Sequence, residues 1–317
     1  MNIREVHKRF STDEQCLEYI QQMRWPDGVV RCPTCGGNKV KRVERTADAK
    51  GRNKRGWFFL CTEKTCLNQF SPTSGTIFHD THLPLIVWFA AIALMQNAKK
   101  GISAKQLQRD LGIGGYKTAW YLNHRIREAM GEADAPKLGG IVEVDETYIG
   151  GKAKGKGTGY GRYNKQTVFG VRQRGGSLRL IQVKKAKADV AKNIIESHVS
   201  PDVELLMTDD STIYPAALKT MDAQFQGKHR TINHISKQYV NGVIHTNTVE
   251  NAFSLLKRGI IGNFHRVSIK HLQRYLNEFS YRFNRRETKA EDAFIETVRR
   301  LAGFKPLPFG VLTAEKA

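Results

Sequence analysis

Four of the five cysteines fall into two close pairs, Cys32-Pro33-Thr34-Cys35 and Cys61-Thr62-Glu63-Lys64-Thr65-Cys66. Each pair brackets a tight turn, so its two sulfurs can converge, and Gly36-Gly37 let the backbone turn beneath them. Thiolates are soft donors, and four of them make a closed tetrahedral zinc site. The opening MNIREVHKRF has no apolar signal core, which points to the cytoplasm, where paired cysteines hold metal rather than disulfides. Strand-like segments such as Gly56-Trp57-Phe58-Phe59-Leu60 lie between the pairs. A layer this small buries little apolar area, so the metal would carry much of its folding energy. The expectation is one structural Zn2+ in a ribbon, held by Cys32, Cys35, Cys61 and Cys66, with no coordination position left open. The alternative is two unrelated reduced pairs, the second of them wider than the usual two-residue spacing. Cys16 stands alone on a helix and reads as a small core residue.

The charge balance narrows the partners. Lys and Arg outnumber Asp and Glu by 51 to 30 in a chain of 317 residues, a net +21. Such self-repulsion is costly and points to a polyanion. Twelve basic residues and one acid lie between Gly151 and Lys192, a density that suits a nucleic-acid track and includes Lys152 and Lys154. The longest apolar run, Leu83 to Met95, is too short to cross a bilayer and contains Pro84, so it reads as a buried helix and no membrane partner is expected.

Before the ribbon, Ser11-Thr12-Asp13-Glu14 opens a helix with Leu17, Ile20 and Met23 inside. After it, a short helix from Ser103, a turn at Gly112–Gly115 and a second helix from Tyr116 to Met130 form a helix-turn-helix-like pattern. Ala119, Leu122, Ile126 and Met130 line the inside of the second helix at helical spacing. Lys117, Asn123, Arg125 and Arg127 are then expected on its outer face, with types suited to phosphates and base edges. An ordinary helical hairpin is the alternative.

Ile141 to Gly151, IVEVDETYIGG, is a run of β-formers that carries Asp145 toward its end and breaks into glycines. On its own it reads as an edge strand, with Glu143, Asp145 and Thr147 on a solvated acidic face. Two further carboxylates change that reading. Strands over Thr167–Arg172 and Leu178–Lys184 meet at Gly175-Gly176, a helix covers Ala188–His198, and a strand from Val203 ends at Asp209-Asp210. A short helix over Tyr214–Met221 and a strand over Arg230–Ile235 follow; His245 then opens a long helix that carries Glu250 in its first turns. Helices follow over Ile269–Arg285 and Ala290–Leu301. This order gives a mixed sheet with helices on its faces. Three carboxylates gathered at neutral pH stay ionised only beside cations. Hard oxygen donors select Mg2+ or Mn2+, and two such ions can hold the attacking and leaving oxygens of a phosphodiester. Lys257, seven residues after Glu250, shares its helix face and can bind a neighbouring phosphate, with Arg258 and Asn251 flanking the groove. As alternatives, Asp209 or Asp210 reads as a helix cap, and Glu250 with Lys257 as a solvated face.

VEVDETYIGGK, LLMTDDSTIYPAL, HTNTVENAFSLLKRGIIG and KHLQRYLNEFSYRFNRR, together with CPTCGG through FSPTSGTIF, resemble the DDE transposases of bacterial insertion sequences, in the ISXO-type branch with an N-terminal zinc ribbon. The resemblance spans roughly residues 15–290. It implies an RNase H-like fold for the mixed sheet and a catalytic triad of Asp145, Asp209 and Glu250, with Asp145 bridging two metal ions. It places His245 and Asn247 in the same motif without assigning them chemistry. It also implies double-stranded DNA partners, the element's terminal inverted repeats and the target, and at least a dimer where two ends are paired. The expected protein is α+β and multidomain: an N-terminal helix and zinc ribbon over 1–79, a helix-turn-helix-like DNA-binding domain over 80–134, an RNase H-like catalytic domain over 138–290, and a C-terminal helix and tail over 291–317. The competing functions are a zinc-ribbon DNA regulator with an inactive RNase H-like domain and a structure-selective nuclease without joining activity.

Overall fold

The computed structural model describes residues 1–45, 56–132, 134–150, 165–221, 225, 227–232 and 245–314. Lys152, Lys154 and the end of the strand expected to reach Ile235 lie outside them. The chain forms two compact units, Met1–Met130 with Thr288–Ala317, and Gly131–Glu287. The ribbon, the helical segment and the C-terminal helix therefore belong to one unit.

In the first unit, α1 (Ile3–Arg9) and α2 (Asp13–Arg24) both begin with capping boxes, the second formed by Thr12 and Gln15. The ribbon follows: β1 (Val40–Glu44), β2 (Trp57–Cys61) and β3 (Gln69–Phe70) pair antiparallel in that order. Trp57, Phe59, Phe70 and Trp25 form an aromatic layer with ring centroids 5.2–6.4 Å apart. The run of apolar residues expected to be a helix is α3 (Leu85–Asn97), buried on nearly every side, which explains why it has no polar face. α4 (Ala104–Asp110) and α5 (Tyr116–Ala129) are the expected helix pair, and Gly112 at φ +62° makes the turn between them. The elements over 188–303 end as α6 (Ala188–His198), α7 (Ile213–Leu218), α8 (Asn247–Gly259), α9 (Leu272–Asn284) and α10 (Ala290–Gly303). Of these, α10 packs against α2, α3 and α5 of the first unit, with Phe294 beside Phe10 and Phe89. A last helix, α11 (Phe309–Thr313), lies where no element was expected.

The second unit is built on a five-stranded sheet in the order β6-β5-β4-β7-β8, with β4 at Ile141–Ile149, β5 at Gln166–Gln173, β6 at Leu178–Val183, β7 at Leu205–Asp209 and β8 at His229–Ile232. The first three strands are antiparallel, and β7 and β8 join in parallel, as the RNase H-like reading implies. Period-two alternation along β4 divides two cores. Val142 and Val144 pack with Ile194, Ile195 and Tyr214 on the α6–α7 side. Ile149 packs with Val249, Phe253, Leu256 and Leu276 on the α8–α9 side. The odd-numbered residues of β4, Glu143 and Asp145 among them, therefore face α8. Among the described residues no helix is long and apolar enough to cross a membrane.

Candidate active site

The site forms where β4 and β7 run side by side. They pair in parallel with Ile141 beside Leu205, Val142 beside Leu206 and Glu143 beside Met207. That register carries Asp145 to the level of Asp209. The carboxylates of Asp145, Glu146 and Asp209 each offer an oxygen within 4.8 Å of the others. Asp209 sits on the last residue of β7, where its Oδ1 accepts from the Ser211 amide at 3.1 Å, while Asp210 is exposed. Glu146 was not expected, because alternation sends it to the opposite face from Asp145. The Tyr214 hydroxyl donates to its Oε2 at 2.6 Å and fixes it at the strand rim.

Glu250 approaches from α8. The Thr246 hydroxyl donates to its Oε1 at 2.8 Å, and Glu250 lines one cavity of about 480 Å³ with Asp145, Glu146, Thr147, Phe253, Lys257 and Arg258. The expected helical register thus puts Glu250 and Lys257 on the same cavity wall. Close approach of α8 depends on Gly170, which pairs with Asp145 across β4 and β5. A Cβ there would lie 2.7 Å from the Phe253 ring and from Val249 Cγ2.

The electrostatics of this rim are unfavourable without a cation. Burial, then the charges of Asp209, Glu146 and Glu250, push the Asp145 carboxyl up to about 8, against a donated bond from the Glu146 amide. Glu146 is also raised, by burial first, although Tyr214 pulls it back. Burial and the neighbouring Glu146 hold the Tyr214 phenol well above its ordinary value. A cluster of hard oxygen donors that resists ionisation on its own fits a divalent cation, which would return these groups to their charged form.

The four ribbon cysteines also converge. Their sulfurs lie within 4.8 Å of one another, with Cys32–Cys66 and Cys35–Cys61 at 3.7 Å. Zinc–sulfur bonds of about 2.3 Å in a tetrahedron give an edge of about 3.8 Å, so the donor set fits zinc. Burial would raise the Cys32 thiol, but the amides of Cys35 and Thr34 together with neighbouring thiols hold it down to about 6. Gly36 turns the backbone at φ +75°, and its amide donates to the Cys32 carbonyl at 2.8 Å. Cys16 is buried away from this group, where burial pushes its thiol up to about 12.

The helix-turn-helix-like pair departs from expectation in the placement of its side chains. Lys117 is exposed at the start of α5, with its Nζ 4.4 Å from the Phe309 ring centroid. Asn123, Arg125 and Arg127 are buried rather than outward-facing. Arg125 stacks on Trp88 and Tyr121 and donates to the His79 carbonyl; Arg127 donates to the Ile102 carbonyl at 3.3 Å. The reason is that α5 is covered by α3, α4 and α10 on more than one side, so its polar positions serve the fold. Burial lowers the Arg125 guanidinium from its ordinary value. Arg258 lies with Lys257 on the cavity wall as expected.

Comparison with known proteins agrees with this geometry. Residues 137–284 match the ISXO2-like transposase domain, and residues 11–58 match the transposase zinc-ribbon domain. The chain is similar to a protein of Halobacterium salinarum described as "Uncharacterized protein in transposable element ISH50", at 27% identity over 290 residues, 87% of this chain and 92% of that one. The first unit thus carries a transposase zinc-ribbon match and the mixed-sheet unit an ISXO2-like transposase-domain match, in the order that the sequence resemblance implied.

Proposed function

We propose that the protein cuts DNA strands at the ends of its insertion sequence and joins the freed 3′-hydroxyl to target DNA. The observation that carries this reading is the strand register that brings Asp145 beside Asp209 on a rim faced by Glu250 and Lys257. Asp145, Asp209 and Glu250 would hold two Mg2+ or Mn2+ ions, with Glu146 as a neighbouring oxygen donor. Such ions, when bound, supply Lewis-acid polarisation of the phosphodiester and ease ionisation of the attacking hydroxyl. The protein contributes position and charge. Lys257 and Arg258 bind phosphate oxygens of the strand lying in the cavity and offset its charge during displacement. Phe253 and Thr147 shape the wall on which that strand rests.

End recognition falls to the first unit. Lys117, at the exposed start of α5, contacts the phosphate backbone, and the zinc ribbon contributes to binding the terminal repeats. Lys152 and Lys154, which follow the Asp145 strand in sequence, add basic charge to the nucleic-acid track. Arg125 and Arg127, bound into the core, take no part in direct DNA contact. Pairing two element ends requires at least two copies of the chain in the DNA complex.

The test compares wild type with Asp145→Ala on duplex oligonucleotides that carry an element end, in Mg2+ or Mn2+. The variant should lose at least about 100-fold in both cleavage and joining while end binding in a mobility-shift assay is retained. Unchanged strand transfer would remove the assignment. Cleavage without joining by the wild type would instead identify a nuclease, and end binding without either step a regulator.

A further inference from the structure

α8 begins without a cap of its own. Thr246, the residue before its first turn, makes no side-chain bond to the amides of that turn, and its hydroxyl is committed to Glu250. The amides of the first turn have no partners within a helix and need acceptors from elsewhere. They find one in a different element. Glu143 of β4 accepts from the Thr248 amide at 2.9 Å, the Val249 amide at 2.9 Å and the Thr248 hydroxyl at 2.7 Å, all through Oε2. Its Oε1 accepts from Arg174 Nε at 2.7 Å and lies 3.3 Å from His245 Nδ1. Arg174 in turn donates through Nη2 to the His245 carbonyl at 2.8 Å, at the residue where the chain turns into α8.

Glu143 is fully buried. A buried carboxylate is tolerated only when its charge and lone pairs are met, and here a guanidinium, a hydroxyl and two helix-start amides meet them. Its place on the strand gives this network its consequence. Glu143 is two residues before Asp145 and on the same face of β4, while the amides it caps are two and one residues before Glu250. One strand thus carries an acid of the site and the anchor of the helix that brings another.

We propose that Glu143 is a positioning residue that sets the third carboxylate: by capping α8 from β4 it holds Glu250 on the wall of the cavity that Asp145 lines. The assignment rests on the reading of these acids as a divalent-ion site. Arg174 and His245 complete the clamp, and Thr246 fixes the rotamer of Glu250 at its end. A change at Glu143 therefore acts on ion binding through Glu250 and not through charge in the cavity.

The experiment measures Mn2+ affinity of the full chain by electron paramagnetic resonance of the free ion, for wild type, Glu143→Gln, Glu250→Gln and the double variant. Circular dichroism and zinc content report folding. Glu143→Gln should weaken Mn2+ binding about 10-fold with zinc retained, and should add no further loss in the Glu250→Gln background. Thr248→Val, which keeps the Glu143 charge and removes one bond to it, should show a smaller loss with the same non-additivity and serves where Glu143→Gln does not fold. Wild-type affinity in both variants, or a full additional loss in the Glu250→Gln background, would overturn the assignment. Asp145→Ala is the control that separates the two failures. Loss of Mn2+ there with none in Glu143→Gln rejects the positioning role alone, whereas a wild type without Mn2+ binding rejects the ion site itself.

Discussion

Gly170 shows how closely single residues set this site. It stands opposite Asp145 in the antiparallel register, and the helix that brings Glu250 lies directly over it. Adding one methyl group there puts it against Phe253 and Val249, both on the buried face of α8. Overpacking of this kind typically costs about 1–3 kcal/mol. Gly170→Ala should lose that amount in chemical denaturation and should weaken Mn2+ binding at the same time, because α8 must lift away from β4. Full stability with unchanged ion affinity would show that α8 does not need this close approach. The positions of the three acids were legible from sequence, since Asp145 and Asp209 lie toward the ends of β-patterned runs and Glu250 in the first turns of a helix-patterned one. Glu143 and Glu146 were not. Alternation assigns Glu143 to the face of Asp145 but says nothing about what covers that face, so a buried helix anchor looks the same as a solvated acid. Glu146 alternates to the other face and enters the cluster where the neighbouring β7 ends at Asp209 and Tyr214 reaches its carboxylate.

At the scale of elements, sequence pattern located most helices and strands but not which sides of them are covered. The apolar positions of α5 define one buried face, and Arg125 and Arg127 look free beyond it. The Arg125 head instead stacks on Trp88 and Tyr121 while donating to a backbone carbonyl, and the Arg127 head donates to another, arrangements that a planar guanidinium tolerates. The ribbon was more readable, because four cysteines at close spacing admit few geometries. Its three short strands carry a small aromatic layer, so metal removal is expected to matter. Stripping the protein with a chelator should release one zinc per chain and lower the first thermal transition, while the transition of the mixed-sheet unit stays in place. Cys61→Ser should reproduce the shift without chelator. A melting profile indifferent to both would leave the ribbon held by its aromatic contacts alone.

For the molecule as a whole, two compact units divide the work proposed here between holding an element end and cutting it. The return of α10 to the first unit was not visible in sequence, since it joins Phe294 to Phe10 and Phe89 across most of the chain length. The net charge of +21 fits the DNA contacts proposed for both tasks. The central claim is narrower: Asp145 touches the ions that activate the reaction. Metal rescue tests it most directly. With Asp145→Cys, strand transfer should fail in Mg2+, which binds thiolate poorly, and should recover by at least about 10-fold in the more thiophilic Mn2+, relative to the same switch of ion in the wild type. Equal recovery in variant and wild type, or activity of Asp145→Cys in Mg2+ at the wild-type level, would contradict direct contact between this residue and the catalytic ions.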